Sequence, residues 1–217
     1  MKEDTVLSII SSQPYQFKDS DIEFDTNNLR PIQFKNAVIK ITCAMGWIYK
    51  WKSLPPKAIR HDPRTKDSLG LTCAMHWISI VKTLPPPELL HDELLSDNEG
   101  RTCAMYWIIH VGTIPPPQLL YDPSIANNKG ETCAMFWIYY QQSMPPPELL
   151  HNPDLVDIRG LTCAMYWVIM CKTFPPRELW HDLQIKERTG KTLMDLWRLI
   201  VDTNVTRSKL MHMRKSI

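Results

Sequence analysis

The sequence predicts an all-α helical repeat solenoid, and three periodic features carry that prediction. Five of the six cysteines, Cys43, Cys73, Cys103, Cys133 and Cys163, recur every 30 residues. Each sits in the same ungapped pattern: a T-C-A-M-x-W run, then two or three prolines, then a polar segment ending in Gly. Five copies fill residues 41–70, 71–100, 101–130, 131–160 and 161–190, and a degenerate sixth, KTLMDLWRLIVDT, follows with Asp195 where the others carry Met. Equal spacing makes each cysteine one position counted once per repeat, not a member of an irregular disulfide framework.

Within a copy, Thr opens a run with no Gly or Pro in most copies, long enough for about three helical turns. The prolines cannot continue that helix, yet they suit the first turn of the next one. Glu88, Glu148 and Glu178 follow them, where a carboxylate complements the positive end of a helix. The second helix, ELLHD, is therefore very short. Asp67, Asp97, Asn127 or Asp157 then stands three residues before Gly70, Gly100, Gly130 or Gly160. That is turn chemistry, a side chain able to bond nearby backbone followed by a residue free to take positive φ. Each copy reads as helix, proline bend, short helix and projecting turn.

Repeat arrays need about three units to bury a continuous core, and their terminal units turn polar on the outer side. Asp195 fits such a C-terminal cap. The organisation expected is thus residues 1–36 as an N-terminal cap or contact segment containing the acidic run KDSDIEFD, 37–190 as the array, and 191–217 as a capping repeat with a basic tail. In that tail Arg207, Lys209, Arg214 and Lys215 surround Leu210, Met211 and Met213.

Over residues of about 40 to 200 the pattern resembles the ankyrin repeat, in which a projecting turn D-x-x-G-x-T leads into a helix with small core residues. Asp97, Gly100, Thr102, Ala104 and Trp107 carry the likeness here. The chain departs from that family in its period of 30 against the usual 33, in T-C-A-M where T-P-L-H is usual, and in its shortened second helix. The resemblance implies an ankyrin-like stack of helix pairs with projecting turns. It also implies that inner helices and turn tips bind partners together, on one concave surface spanning copies two to five.

Comparing the copies with one another separates constant from variable positions. With the helix Thr at offset zero and 100° per residue, the constant apolar offsets 1, 2, 3, 5 and 6, plus offset 9, fall in one arc, which is expected to be buried. Offsets 4, 7 and 8 fall in the opposite arc and vary. They place His76, Tyr106, His110, Phe136, Tyr139, Tyr140, Tyr166 and Met170 on an outward face expected to bind a partner, since an aromatic-rich outer face is typical of an interface. The turn tips RTKDSL, LLSDNE, SIANNK, DLVDIR and QIKERT vary as well.

Other chemistries find little footing. Packed helices stand about 10 Å apart, whereas zinc needs ligands at roughly 2.0 to 2.3 Å, so the cysteine ladder is read as core, with no metal and no cofactor. His61, His91, His151 and His181 recur at a slot where copy three has Tyr121, which fits packing or bonding to carbonyls better than catalysis. No phosphate loop, G-x-S-x-G elbow, H-E-x-x-H pair or C-x-x-C motif occurs, and the chain is read as no enzyme. Basic and acidic residues number 25 and 23, which argues against a general nucleic-acid binder; no apolar run is long enough for a membrane span. Reduced cysteines and the lack of a secretory signal suggest the cytoplasm, delivery into a host cell included. The function expected is that of a protein-binding scaffold, as an adaptor or as a pathogen or phage effector that occupies a host or defence factor. The alternative is a nucleic-acid-binding repeat protein that stacks bases on its aromatics and meets phosphates with its basic tail.

Overall fold

A computed structural model describes residues 30–34, 37–90, 94–120 and 122–202, with side chains from residue 41 onward. Residues 1–29, which make up most of the N-terminal segment, and the basic tail at 203–217 lie outside the described residues, as do His91 and Tyr121. The chain divides into two compact units, Met1–Asn98 and Glu99–Ile217. The fold class is the all-α helical repeat solenoid, realised in each unit by consecutive stacking of like helices.

The first unit holds a short antiparallel hairpin, β1 (Arg30–Phe34) with β2 (Ala37–Ile41), in the register Arg30 opposite Ile41 and Phe34 opposite Ala37. The sequence did not announce this hairpin ahead of the array. Helices α1 (Cys43–Trp51) and α2 (Cys73–Val81) follow in the same unit. The second unit holds α3 (Cys103–His110), α4 (Cys133–Gln141), α5 (Cys163–Cys171) and a last helix, α6, over 193–202.

Each helix begins just after its Thr, and in every one but α3, where Thr102 makes no such bond, the hydroxyl accepts an amide that the helix itself leaves unbonded. Thr42, Thr72, Thr132 and Thr162 accept from the amides of Met45, Met75, Met135 and Met165. In the last copy Asp195 makes the bond reciprocal. Thr192 Oγ1 accepts from Asp195 N at 3.3 Å while Asp195 Oδ2 accepts from Thr192 N at 3.0 Å, a two-way N-terminal lock that Met at this position does not allow. The helices end where one residue turns left-handed: Lys52, Lys82, Gln142 and Lys172 at φ between 48° and 62°, and Gly112 in copy three.

Beyond that end the indole of each copy reaches forward. Trp47, Trp77, Trp107, Trp137 and Trp167 donate from Nε1 to Ser53, Thr83, Thr113, Ser143 and Thr173 at 2.9 to 3.1 Å, which fixes the path of the chain into its prolines. The second helix then shrinks to a single 3-10 turn, as at Pro87–Leu89 and Pro147–Leu149, closed by Leu89 N to Pro86 O and Leu149 N to Pro146 O. Prolines supply no N–H, and the D-P or N-P step that follows in copies one, three and four biases the residue before Pro toward extended backbone, which keeps the turn short there.

The core repeats with the sequence. Met45, Ile48, Met75, Ile78, Met105, Ile108, Met135, Ile138 and Met165 are completely buried, each contributing about 1.5 to 3 kcal/mol by leaving water. In the second unit Ala134, Met135 and Ile138 pack with Cys163, Ala164, Met165, Val168, Leu179 and Leu193. Cys73, Cys103, Cys133 and Cys163 lie in this core, as expected, whereas Cys43, expected there too, is only partly buried.

Candidate functional site

The projecting turns place the variable side chains. In each turn one acidic or amide side chain gathers two backbone amides. Asp67 Oδ1 accepts from Leu69 N and Leu71 N, Asn127 Oδ1 from Lys129 N and Glu131 N, and Asp157 Oδ1 from Arg159 N and Leu161 N, all at 2.8 to 2.9 Å. Consecutive turns are stitched by backbone bonds. In the first unit Asn98 N donates to Leu69 O; in the second, Asn128 N donates to Glu99 O and Ile158 N to Lys129 O.

The other carboxylate oxygen of a turn faces the next helix at offset 4. His76 Nε2 lies 3.0 Å from Asp67 Oδ2, and the Tyr166 hydroxyl donates to Asp157 Oδ2 at 3.0 Å. Where the helix residue is Phe136, which has nothing to donate, the turn residue is Asn127, and its Nδ2 donates to Glu131 Oε2 at 2.9 Å instead. The expected outward placement of offset 4 is therefore corrected. Tyr106, Phe136 and Tyr166 are only 5%, 9% and 5% exposed, and His76 is partly buried. Helix side chains lean toward the N-terminal end, and that is where the preceding turn joins the helix and covers them. Offset 9, expected to be buried, is only partly buried in all five copies, with Val81 and Cys171 packed against the edges of the cores.

Offsets 7 and 8 stand clear of the turn. Tyr139 and Tyr140 are 50% and 45% exposed and meet edge to face at 4.9 Å, while Phe136 lies parallel to Tyr140 at 6.1 Å. His110 is half-buried and stacks on Tyr106 at 5.7 Å, and Met170 packs against the core of the second unit. His76 belongs to the first unit. Four of the eight expected residues, Phe136, Tyr139, Tyr140 and Tyr166, line one open cleft of about 290 Å³ in the second unit, together with Glu99, Arg101, Asn127, Lys129, Glu131, Met135 and Arg159.

The polar wall of the cleft is tightly wired. The Arg159 guanidinium lies 5.3 Å above the Tyr166 ring and donates from Nε to Asp157 Oδ2 at 2.8 Å. The Tyr166 hydroxyl lies 3.0 Å from Glu131 Oε1 as well as from Asp157 Oδ2. Burial and the two carboxylates push the Tyr166 phenol well above the ordinary tyrosine range, so it stays a protonated donor. Arg101 pairs with Glu99 at 3.2 Å and covers Tyr106 at 5.3 Å, and Lys129 reaches Glu99 at 4.0 Å. Glu99, Asn127, Lys129 and Arg159 fall within the turn tips singled out from the sequence, whereas Arg101 and Glu131 were missed. A signal for them existed. The residue before the helix Thr is apolar in Ile41, Leu71 and Leu161 and charged only in copies three and four among the five.

The histidines and cysteines form a separate, structural ladder. His61 Nδ1 donates to the Asp62 carbonyl at 2.9 Å, which leaves Nε2 to accept from Thr42 Oγ1 at 2.6 Å with Cys73 Sγ 3.6 Å away. His151 repeats this with Asn152, Thr132 and Cys163. Burial holds His151 below the ordinary histidine value and pushes the Cys73, Cys103, Cys133 and Cys163 thiols up to about 12. A thiol held protonated and buried in this way is a poor nucleophile and a poor metal ligand. Among the described residues no group of three His, Cys, Asp or Glu is placed to hold a metal ion, and no helix is long and apolar enough to cross a membrane.

No family model and no curated protein matches the sequence. Among solved structures the chain is similar to the ankyrin repeat domain of Bcl-3, described as a unique member of the IkappaB protein family, at 15% identity with a TM-score of 0.41, covering 65% of this chain and 74% of that one.

Proposed function

We propose that this chain is a protein-binding repeat scaffold whose working surface is the copy-four cleft, with Tyr139 and Tyr140 as its anchors. One coincidence carries the proposal. Copy four alone among the five has Tyr at both offsets 7 and 8, and the charged residues at the turn ends, Glu99, Arg101, Lys129, Glu131 and Arg159, are concentrated around that same helix. The corresponding positions at the first turn of the array are Leu69 and Leu71. Exposed aromatics beside a charged rim have the anatomy of a protein interface, an apolar centre that loses water and a polar edge that sets orientation.

The Tyr166, Arg159, Asp157 and Glu131 network supports the role by holding the wall in one conformation, which lowers the ordering cost of association. No reacting atom is called for, since the scaffold works by occupancy. Adaptor and effector roles both follow from such occupancy, and the partner decides between them.

The test is affinity capture from lysate with wild type beside a Tyr139→Ala, Tyr140→Ala double variant whose helical circular dichroism is unchanged. Capture of one protein by wild type and its loss from the variant supports the cleft. Equal capture by both places binding elsewhere and removes these tyrosines from the site. Capture of nucleic acid with steep salt dependence instead supports the base-stacking alternative.

A further inference from the structure

Resting on the scaffold reading, we infer that the copy-four cleft takes a neutral, proline-rich segment in the polyproline II conformation, laid across α3, α4 and α5. The argument begins with charge. Three cations of the cleft, Arg101, Lys129 and Arg159, are matched by three carboxylates, Glu99, Glu131 and Asp157. Arg101 and Lys129 share Glu99 at 3.2 and 4.0 Å, while Arg159 holds Asp157 at 2.8 Å and Glu131 at 3.7 Å. No net charge is left to select an acidic or a basic occupant, and a neutral segment leaves every pair intact.

Hydrogen bonding is less evenly matched. Glu131 accepts from Asn127 Nδ2 and from the Tyr166 hydroxyl, and Asp157 Oδ1 accepts the amides of Arg159 and Leu161. The Tyr139 and Tyr140 hydroxyls, on half-exposed rings, bond no group among the described residues. What the cleft offers an occupant is two hydroxyl donors beside two ring faces. A proline-rich segment is their complement: its carbonyls accept, its prolines have no N–H to satisfy, and its rings pack on aromatic faces.

Spacing selects the same conformation. Helices α3, α4 and α5 stack consecutively in the second unit, and packed helices stand about 8 to 10 Å apart. Their offsets 7 and 8 form a strip, Ile109 and His110, then Tyr139 and Tyr140, then Ile169 and Met170. Polyproline II presents every third residue on one face, about 9.3 Å apart, so one apolar residue in three falls on each helix. A β-strand returns a face every 6.6 Å or so and drifts off that ladder. An α-helix returns one at about 10.5 Å, but its carbonyls are bonded within it and give the two hydroxyls no acceptor.

The experiment is selection from a displayed library of random dodecapeptides on the full chain, with counter-selection on the folded Tyr139→Ala, Tyr140→Ala variant. The expected result is enrichment of sequences near zero net charge that carry several prolines and apolar residues three apart. A synthetic enriched peptide should then lose affinity about tenfold on Tyr139→Phe, Tyr140→Phe, which removes both hydroxyls and keeps both rings. Its affinity for wild type should change less than about twofold as salt rises tenfold. Enrichment of charged or proline-free peptides overturns the inference. So does no enrichment over the counter-selected variant, an unchanged affinity in the phenylalanine variant, a steep salt dependence, or preferential binding of a single-stranded oligonucleotide of twelve thymidines. If lysate capture still depends on Tyr139 and Tyr140 in those cases, the scaffold reading stands and only the proline-rich occupant fails.

Discussion

The Tyr166 hydroxyl donates to Asp157 Oδ2 at 3.0 Å, tying the second residue pair of copy five's helix to the turn that precedes it. His76 and Asp67 make the same connection in the first unit. Variation at this helix position therefore follows the neighbouring turn, and it says nothing of an outside partner. Tyr166→Phe should cost about 1 to 2 kcal/mol, because Asp157 Oδ2 then keeps only Arg159 Nε and the hydroxyl shared between Asp157 and Glu131 is lost. Tyr139→Phe, on an exposed ring, should stay within about 0.5 kcal/mol. Urea denaturation of the two variants measures the contrast, and equal small losses would refute the structural role of Tyr166.

Stacking of the turns can be tested at two glycines. A Cβ on Gly130, at φ +77°, would stand 2.9 Å from Asp157 Cα and 3.0 Å from Val156 O, while one on Gly190, at φ +86°, would meet nothing within 4 Å. Gly190→Ala should therefore cost only the left-handed backbone penalty, about 1 to 2 kcal/mol, and Gly130→Ala clearly more, because backbone must also shift. Thermal melts of both variants give the comparison directly.

The four buried cysteines of the ladder should be chemically silent in the folded protein. With a pKa of about 12, Cys73, Cys103, Cys133 and Cys163 carry thiolate at roughly one part in ten thousand at pH 8, and they are buried as well. Iodoacetamide followed by peptide mass spectrometry should find Cys171, half-buried at the end of α5, labelled ahead of those four, which react fully only in denaturant.

His151 gives a pH dependence of definite sign. Its folded pKa lies below the unfolded value of 6.5, chiefly through burial, so above 6.5 both states are neutral and its contribution to stability is complete. As pH falls below 6.5 the unfolded chain takes up a proton that the folded state refuses, and stability is lost through the window down to the folded pKa. The urea midpoint should drop between pH 7.5 and 5.5 by more in wild type than in His151→Gln. Parallel drops would show that the imidazole is not the group responsible.

Much of this fold was legible in the sequence because its signals are local. Thr at the helix start, the proline stop, the Asp-x-x-Gly turn and the 30-residue ladder each report on a few adjacent residues. The misplacement of offset 4 arose because angle around an isolated helix takes no account of a turn folding back over its first half; Phe136 and Tyr140 share an arc of one helix and stand one turn apart along its axis. The hairpin at Arg30–Ile41 carried no Asn-Gly or Asp-Gly turn signature to announce it. The cleft was half legible: its tyrosines and tip residues vary visibly, while Arg101 and Glu131 lie one residue before the window that was compared.

The most direct measurement separates binding from folding at two pairs of residues. Affinity for the captured partner and melting temperature would be determined side by side for Tyr139→Ala, Tyr140→Ala and for Tyr166→Phe. The predicted result is a crossed one: the double variant loses the partner and keeps its melting temperature, while Tyr166→Phe melts lower and, where folded, keeps the partner. A double variant that binds normally would contradict the assignment of the copy-four cleft as the working surface.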